Sequence, residues 1–188
     1  ATKLLHHKNL HIVTNNIHVA TILSAKEDFS VIIAAGEVRF RDGGIIGEAT
    51  CDFISQFRMD YGIIGISGIS ADGALLDFDF REVKVSQSII EHTQTVILAA
   101  DYSKFERKAM VEQGHLSQVD YLVCDRTPPA SIAPIIKEHN IKFVKAWYQR
   151  ARCSSILVIF HRPFLGRTLS VMRDKDFKEP SLDLKNKT

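Results

Sequence analysis

The sequence predicts an α/β fold of Rossmann-like type, with a mostly parallel sheet covered by helices on both faces. Two observations predict it. Several apolar, β-branched runs have the length of buried strands, and segments of about ten residues with apolar side chains at helical spacing lie between them. Two neighbouring parallel strands need a crossover connection, which is usually a helix, so this alternation is typical of a parallel sheet.

The first half of the chain supplies two strand–helix units. Residues 10–13 form a short strand candidate, and the polar residues 14–16 that follow favour a turn and a helix N-cap. Helical spacing of apolar residues then predicts a helix over 17–25. Residues 30–35 are apolar throughout and predict a buried strand. A helix is predicted over 48–57, where four apolar residues lie on one stripe and an acidic residue stands at the start.

The second half continues the pattern. Strands are predicted for 61–66, 95–100, 119–124 and 141–144, and helices for 81–92 and 131–139, the latter after a pair of prolines. Residues 1–7 read as part of a helix, so we expect the sheet to be truncated at its N-terminal end.

Composition excludes several protein classes. The 188 residues are 45% apolar and 24% charged, which is typical of a globular protein and suffices for one domain with an appendage. No apolar run approaches the roughly 18 residues that span a membrane, and no secretory signal is visible. Three dispersed cysteines predict a reducing, cytoplasmic location. The eight histidines show no ligand spacing, so we expect no metal and no cofactor.

The charge distribution changes near residues 143–146. Residues 1–143 carry a net negative charge, whereas 144–188 are strongly basic and lack clear periodicity. We therefore predict a domain over 1–143 and an extension over 144–188. The extension is either an arm that contacts nucleic acid or a segment that belongs to no fold. The second interpretation is favoured because the basic residues share no helical face. Residues 154–160 are nevertheless strand-like and would be prone to aggregate if exposed.

Polar residues follow the predicted strands where a ligand would be expected. In open parallel sheets, ligands bind beyond the carboxyl ends of the strands. Asn16 follows the first run, Gly36 the second, residues 67–73 the third, and Asp101 with Lys104 the fourth. Short polar side chains, glycine backbone and one acid–base pair predict a site for a small, hydroxylated, anionic ligand such as a sugar phosphate.

The segment 39–47 is the richest in glycine. Gly44 and Gly47 allow backbone amides to approach an anion, and Arg39 and Arg41 supply positive charge. An ordinary turn explains the same glycines equally well. The segment matches neither a Walker loop nor a dinucleotide fingerprint.

Glu82 has three interpretations at this stage. With Lys104, it could act as general base and electrophile in an aldose–ketose interconversion. It could also clamp ligand hydroxyls without reacting. A solvated glutamate in the first turn of a helix is the more common outcome.

The order and spacing of several short motifs resemble the effector-sensing domain of DeoR-type bacterial transcriptional repressors. The resemblance covers about residues 1–143. Its motifs are Ile12-Val-Thr-Asn-Asn16, Ile32-Ile-Ala-Ala-Gly-Glu37, Asp42-Gly-Gly-Ile-Ile-Gly-Glu-Ala49, Gly65-Ile-Ser-Gly-Ile69 and Ala100-Asp-Tyr-Ser-Lys-Phe105.

The resemblance implies a sensor related in fold to ribose-5-phosphate isomerase and CoA-transferases. Such a sensor binds a phosphorylated sugar or polyol, here glycerol 3-phosphate or a related compound, and controls DNA binding by a separate N-terminal helix-turn-helix. A homo-oligomer and no membrane contact are expected. The ligand-site pattern of the family falls on Asn16, Gly36, Gly44, Gly47, Gly73, Glu82, Asp101 and Lys104.

Two departures from the family pattern affect the expected activity. The helix-turn-helix and the phosphate cradle expected before residue 1 are absent, which predicts weakened phosphate binding. The isomerases' Lys-Gly-Gly-Gly-Gly run is also absent, which argues against turnover. The alternative remains an isomerase-like enzyme fragment with Glu82 as its base.

Overall fold

The computed structural model describes residues 1–146 and the backbone of 157–160. The strands are β1 His11–Thr14, β2 Ser30–Ile33, β3 Glu37–Val38, β4 Ile45–Ile46, β5 Met59–Ile64, β6 Gly68–Ile69, β7 Ala74–Asp77, β8 Thr93–Ala99, β9 Val111–His115, β10 Tyr121–Cys124, β11 Lys142–Lys145 and β12 Leu157–Phe160. The helices are α1 Ile17–Leu23, α2 Glu48–Ser55, α3 Phe80–Glu91 and α4 Ala133–Glu138. Short 3-10 helices occupy Thr2–His6, Tyr102–Lys104 and Leu116–Gln118.

The central sheet has seven strands in the order β11-β10-β8-β5-β12-β1-β2. The pairs β1–β2, β5–β8, β8–β10 and β10–β11 are parallel. Strand β12 is antiparallel to both of its neighbours, β1 and β5. The predicted mostly parallel α/β fold is therefore confirmed.

Helices cover both faces of this sheet next to β1. Ile12 and Val13 are adjacent in the strand and point to opposite faces. Ile12 packs with Val19 and Leu23 of α1. Val13 belongs to the larger core on the other face, which includes Ile89 of α3. The two-sided burial explains why the first strand reads as apolar without alternation.

Strand β2 differs from its prediction. Its apolar run predicted a buried strand, but β2 lies at the edge of the sheet, and Ile32 and Ile33 are 38% and 45% exposed. An apolar run of strand length indicates a strand without fixing its place in the sheet, so sequence alone could not separate an edge from a centre.

Two small sheets were not predicted. Strands β3 and β4 form an antiparallel hairpin, and β6, β7 and β9 form a three-stranded sheet. Strands β3, β4 and β6 have two residues each and are too short to show a hydrophobic period, which explains why they were missed. Strand β9, with the sequence Val-Glu-Gln-Gly-His, has one apolar residue and therefore no apolar run. In the three-stranded sheet, Leu75 pairs with Gly114 and Leu76 with Glu112. Gln113 is consequently the extra residue of a β-bulge.

The strand β12 comes from the extension that we expected to belong to no fold. The backbone of Leu157 pairs with Thr14 of β1 on one side and with Ile63 of β5 on the other, so β12 fills the gap between these strands. The backbone groups of β1 and β5 that face this gap thereby gain hydrogen-bond partners in β12. The basic segment that follows β12, and with it the nucleic-acid interpretation, lies outside the described residues.

Candidate functional site

The carboxyl ends of β1, β5 and β8 meet at one edge of the central sheet, because these strands run in the same direction. Asn16 follows β1, and Asp101 follows β8. The order of strands sets β1 and β8 three positions apart, which corresponds to roughly 14 Å. The predicted residues thus share an edge but fall into two groups.

The first group, which we call the hairpin side, consists of Asn16, Gly36, Arg39, Asp42, Gly44, Gly47 and Glu82. Asn16 is 1% exposed and caps α1: its Oδ1 accepts hydrogen bonds from the amides of His18 at 2.9 Å and Val19 at 3.2 Å. Its Nδ2 donates to the carbonyl of Asp42 at 2.9 Å, and its backbone bridges to Gly44. Asn16 therefore fixes the β3–β4 hairpin against the end of β1.

Arg39 is the centre of the hairpin side. Its guanidinium binds Asp42 in a bidentate pair, with Nε–Oδ1 at 2.9 Å and Nη2–Oδ2 at 2.5 Å. Nη1 also donates to Asp79 Oδ2 at 3.0 Å and to Glu82 Oε2 at 2.5 Å. The expectation that Arg39 supplies free charge to an anion is therefore wrong, because three carboxylates already neutralise it.

Glu82 is buried, at 7% exposure, so the solvated interpretation is also wrong. Burial raises the pKa of its carboxyl, and the negative charges of Asp77 and Asp42 act in the same direction. The hydrogen bond from Arg39 opposes this rise without cancelling it. Glu82 thus lies in an environment with more acceptors than donors.

The pKa of Asp79 is shifted in the opposite direction. Burial alone would raise the pKa of its carboxyl, but hydrogen bonds from the Arg81 amide and from Arg39 outweigh burial and hold the pKa below its ordinary value. Asp79 also caps α3 by accepting from the Arg81 amide at 3.0 Å. One guanidinium therefore ties the hairpin to the first turn of α3 through two carboxylates with different surroundings.

The glycines of the hairpin side have structural reasons for their positions. At Gly36, φ is +142°, and an added Cβ would lie 2.7 Å from the carbonyl oxygen of Ile46 and still closer to Thr50 Oγ1. Gly47 precedes α2 with φ at +114° and has open space around it. Gly44 closes the β3–β4 hairpin by accepting from the Arg39 amide at 2.7 Å. The turn interpretation of segment 39–47 is the one that the hairpin supports.

The second group, which we call the β8 side, consists of Asp101 and Lys104. Asp101 Oδ1 accepts from the Ser103 amide at 2.9 Å and caps the 3-10 helix that carries Lys104. Within the described part of the chain, no hydrogen bond or ion pair engages the Lys104 ammonium, which is partly exposed. The β8 side therefore offers an available cation at the same edge where the hairpin side offers acceptors.

The loop between β7 and α3 connects the two groups. On the hairpin side, Asp79 binds Arg39. On the β8 side, the Arg107 guanidinium lies 5.3 Å from the centre of the Phe78 ring. The segment after β8 also contacts β6, where the Ile69 carbonyl accepts from the Glu106 amide at 2.7 Å. Contacts thus link the hairpin, this loop and the segment after β8, which together we call the border.

Among the described residues, no contact brings Gly73 to this border. It lies in the turn between β6 and β7 with φ at +90°, and an added Cβ would contact His115 and Ile135. Its carbonyl accepts from the Leu116 amide at 2.9 Å. The close approach of this turn to β9 and α4 explains the glycine.

Comparison with known proteins decides the family. Residues 1–126 match the family described as the DeoR C-terminal sensor domain. The chain belongs to this DeoR sensor family. It is 56% identical over 142 residues to the glycerol-3-phosphate regulon repressor of Escherichia coli, covering 76% of this chain and 56% of that protein.

Two further relatives carry similar names. The glycerol-3-phosphate regulon repressor of Haemophilus influenzae is 51% identical over 144 residues, covering 77% of this chain and 56% of that protein. The repressor CsqR of Escherichia coli is 35% identical, covering 77% of this chain and 55% of that protein. The DeoR sensor chain thus spans little more than half the length of these relatives. Their names support a sensor rather than the isomerase alternative.

Asp42 and Asp79 belong to the site but were not predicted from the sequence. Arg39 meets Asp79 and Glu82 across separations of 40 and 43 residues, and no local pattern announces such pairs. Only Asp42, three residues from Arg39, had a detectable signal in its spacing.

Two features are absent from the described residues. No cluster of three or more His, Cys, Asp or Glu side chains there could hold a metal ion. Among the helices that the structure describes, none combines the length and the apolar character needed to cross a bilayer.

Proposed function

We propose that this chain is the ligand-sensing part of a bacterial transcriptional repressor that responds in the cytoplasm to a phosphorylated polyol, with glycerol 3-phosphate as the first candidate. The observation that carries the proposal is the 56% identity to a repressor named for the glycerol-3-phosphate regulon. The sensing domain is proposed to span residues 1–143, and Asn16, Gly36, Gly44, Gly47, Gly73, Glu82, Asp101 and Lys104 remain its proposed site residues.

The two sides of the border suit the two ends of such a ligand. On the hairpin side, Arg39 is already paired with Asp42 and Glu82 and with the neighbouring Asp79, so its guanidinium is not available to an anion, whereas the carboxylate oxygens accept hydrogen bonds from hydroxyl groups. On the β8 side, Lys104 is available to a phosphate. We assign the polyol end to the hairpin side and the phosphate end to the β8 side.

Binding would act on DNA affinity through a population shift. A ligand changes an equilibrium between two arrangements only if it binds one of them more tightly. The border joins three separate segments, so a ligand held between the hairpin and Lys104 would favour the arrangement in which they are close. In the proposed repressor, a homo-oligomer transmits this preference to a helix-turn-helix DNA-binding unit.

Calorimetric titration of the full chain with glycerol 3-phosphate tests the proposal. We expect saturable binding, because the two ends of the ligand meet complementary groups, but with the weakened phosphate affinity that the departures from the family pattern predict. Glycerol and inorganic phosphate each carry one of the two ends and should bind at least about tenfold more weakly, a difference of about 1.4 kcal/mol. Equal binding of glycerol 3-phosphate and inorganic phosphate, or no binding of any phosphorylated polyol, would contradict the proposal.

A further inference from the structure

Large apolar side chains that are exposed to solvent are concentrated in two short segments of the described chain. Of eight such side chains, six lie within residues 32–40 and 78–80. Single exposed apolar residues are common on protein surfaces, whereas several that lie together indicate an interaction site. The six, which we call the apolar patch, are Ile32, Ile33, Val38, Phe40, Phe78 and Phe80.

Two ion pairs hold the two segments of the apolar patch side by side. Glu37 binds Arg81 at 3.2 Å, and Arg39 binds Asp79 at 3.0 Å. Strand β3 and the residue that follows it are thereby fixed against the start of α3, and residues 78 and 80 flank Asp79 in the chain. The patch is therefore one region of the surface, with β2 leading into it from residue 33.

The β3–β4 hairpin has an inner and an outer face at this place. Glu37 and Arg39 are directed to α3 by their ion pairs, and the Arg39 side chain is only 11% exposed. Val38, between them, points to the opposite face of the strand and is 50% exposed. Phe40, in the turn of the hairpin, is fully exposed. The hairpin thus contacts the carboxylates of the border with one face and presents apolar side chains with the other.

The apolar patch is large enough for a specific contact between proteins. Its exposed side-chain area is on the order of 600 Å², since a phenylalanine offers about 200 Å² and the aliphatic side chains somewhat less. A specific interface buries about 800 Å² on each partner, and about 57% of that area is apolar. The patch with its polar surroundings therefore matches one side of a stable dimer.

The charges beside the apolar patch favour a second copy of this chain as the partner. In a two-fold dimer both copies contribute the same surface, so exposed groups of a single charge sign would face their own kind. Beside the patch lie exposed groups of both signs, since Glu37 is 67% and Arg81 is 52% exposed. A surface of this kind can face itself without net repulsion.

Strand β2 supplies a second argument for the same partner. It is an edge strand, and residues 30–35 contain neither a charged residue nor a proline. Native proteins usually protect an open edge with such residues or cover it, because its unpaired backbone groups attract another strand. A second copy offers an identical open edge, and two such edges can pair across a two-fold axis.

We propose that two copies of this chain associate through the apolar patch, with Phe40 as a main contact. The inference rests on the proposed function, in which a homo-oligomer transmits the binding of the ligand. It gives each face of the hairpin a partner, the border on the inside and the second copy on the outside. Ligand binding and association are then coupled, and each changes the equilibrium constant of the other by the same factor.

Sedimentation velocity of the full chain, without ligand, tests the inference. We expect the unaltered chain to form a dimer that dissociates on dilution. Phe40→Ser and Phe80→Ser should each raise the dissociation constant about tenfold or more, because aromatic anchors dominate the binding energy of interfaces. The matched control is Met110→Ser, since Met110 is 84% exposed but lies outside the patch, and its dissociation constant should equal that of the unaltered chain.

Circular dichroism of the variants checks that they are folded, which we expect because the substituted side chains are exposed. A chain that stays monomeric at every accessible concentration would overturn the inference, and so would folded Phe40→Ser and Phe80→Ser variants that associate like the Met110→Ser control. Calorimetry with glycerol 3-phosphate separates this result from the proposed function. Binding of the ligand by a chain that does not associate overturns the interface alone, whereas association through Phe40 without binding of any phosphorylated polyol overturns the sensor alone.

Discussion

The two sides of the carboxyl edge are built in contrasting ways. On the hairpin side, Arg39 is enclosed by Asp42, Asp79 and Glu82, and Asn16 holds the hairpin in place. On the β8 side, the Asp101 carboxylate caps its own short helix, and within residues 1–146 the Lys104 ammonium makes no hydrogen bond or ion pair. The first side is preorganised by structure, whereas the second keeps its charge available. Charged residues at the same edge of a sheet can therefore have different roles: Arg39 stabilises the fold, whereas Lys104 remains available to a ligand.

Arg39→Met should have the largest effect on stability. It leaves buried carboxylates of Asp42 and Glu82 without their cation, and breaking a buried ion pair by removing one partner costs about 3 to 5 kcal/mol. Urea unfolding followed by circular dichroism measures the loss. The matched control is Arg41→Met, on the same hairpin but exposed, which should change stability by less than about 0.5 kcal/mol. Equal losses in both variants would show that the hairpin side is not preorganised by this cluster.

Val158→Pro should disturb both sides, because β12 separates them. Residue 158 pairs with Val13 on one side and Gly62 on the other, and proline removes a backbone donor from the middle of the sheet. We expect a loss of about 2 to 3 kcal/mol relative to Val158→Ala, which keeps the donor. Thermal unfolding of the two variants provides the measurement, and identical melting temperatures would contradict the central position of β12.

The Glu82→Gln variant tests, through the pH dependence of the free energy of unfolding, whether burial and neighbouring carboxylates raise the pKa of Glu82. The pKa of Glu82 is raised above its ordinary value of 4.5, mainly by burial, so the folded state holds this proton more tightly than the unfolded chain. Native stability contributed by Glu82 is therefore fully present below about 4.5 and falls as pH rises towards the folded pKa. The glutamine variant lacks this fall, so it should gain on the native chain as pH increases.

The measurement for Glu82→Gln is a series of urea unfolding curves between acidic and neutral pH. The control is Glu48→Gln, an exposed glutamate at the start of α2, whose stability difference should not depend on pH in this way. A native chain that instead gains on Glu82→Gln with rising pH would show that Arg39 dominates over burial.

Lys104→Met should have the smallest effect on stability and a clear effect on binding. Its ammonium makes no contact that the described fold needs, so stability should change by less than about 0.5 kcal/mol. If the β8 side holds the phosphate, affinity for glycerol 3-phosphate should fall about tenfold. Calorimetry with Lys108→Met as the exposed control makes the measurement. Unchanged affinity would separate Lys104 from the ligand and leave the comparison of the two sides without a functional meaning.

The sequence predicted the elements of the fold better than their environment. Apolar runs of strand length marked β5 and β8 because these strands are buried on both faces. The same signal at β2 was misleading, since Ile33 is exposed at an edge. Helix α3 was predicted within a residue or two, but a solvated side chain was the more common of the three interpretations of its first-turn Glu82, which is buried. Helical periodicity predicts on which face of the helix a residue lies, but not which other segment of the chain packs against that face.

The candidate site was predictable only where it followed strands. Asn16 and Asp101 come directly after apolar runs, so the topology of a parallel sheet placed both at one edge. The ion pairs of Arg39 depend on a hairpin of two-residue strands that has no readable period. The bulge at Gln113 arises from the register of two strands distant in sequence, which no local pattern predicts.

Because Thr14 pairs with Leu157, the central sheet can be completed only late in the synthesis of the described residues. Among the described strands, β1 is synthesised first and its inner neighbour β12 last, so the two halves of the sheet stay apart until β12 has emerged. Contacts of such long sequence separation close slowly. Until these contacts form, the edges of β1 and β5 that later pair with β12 can pair with strands of other molecules. The refolding yield should therefore fall as the protein concentration rises.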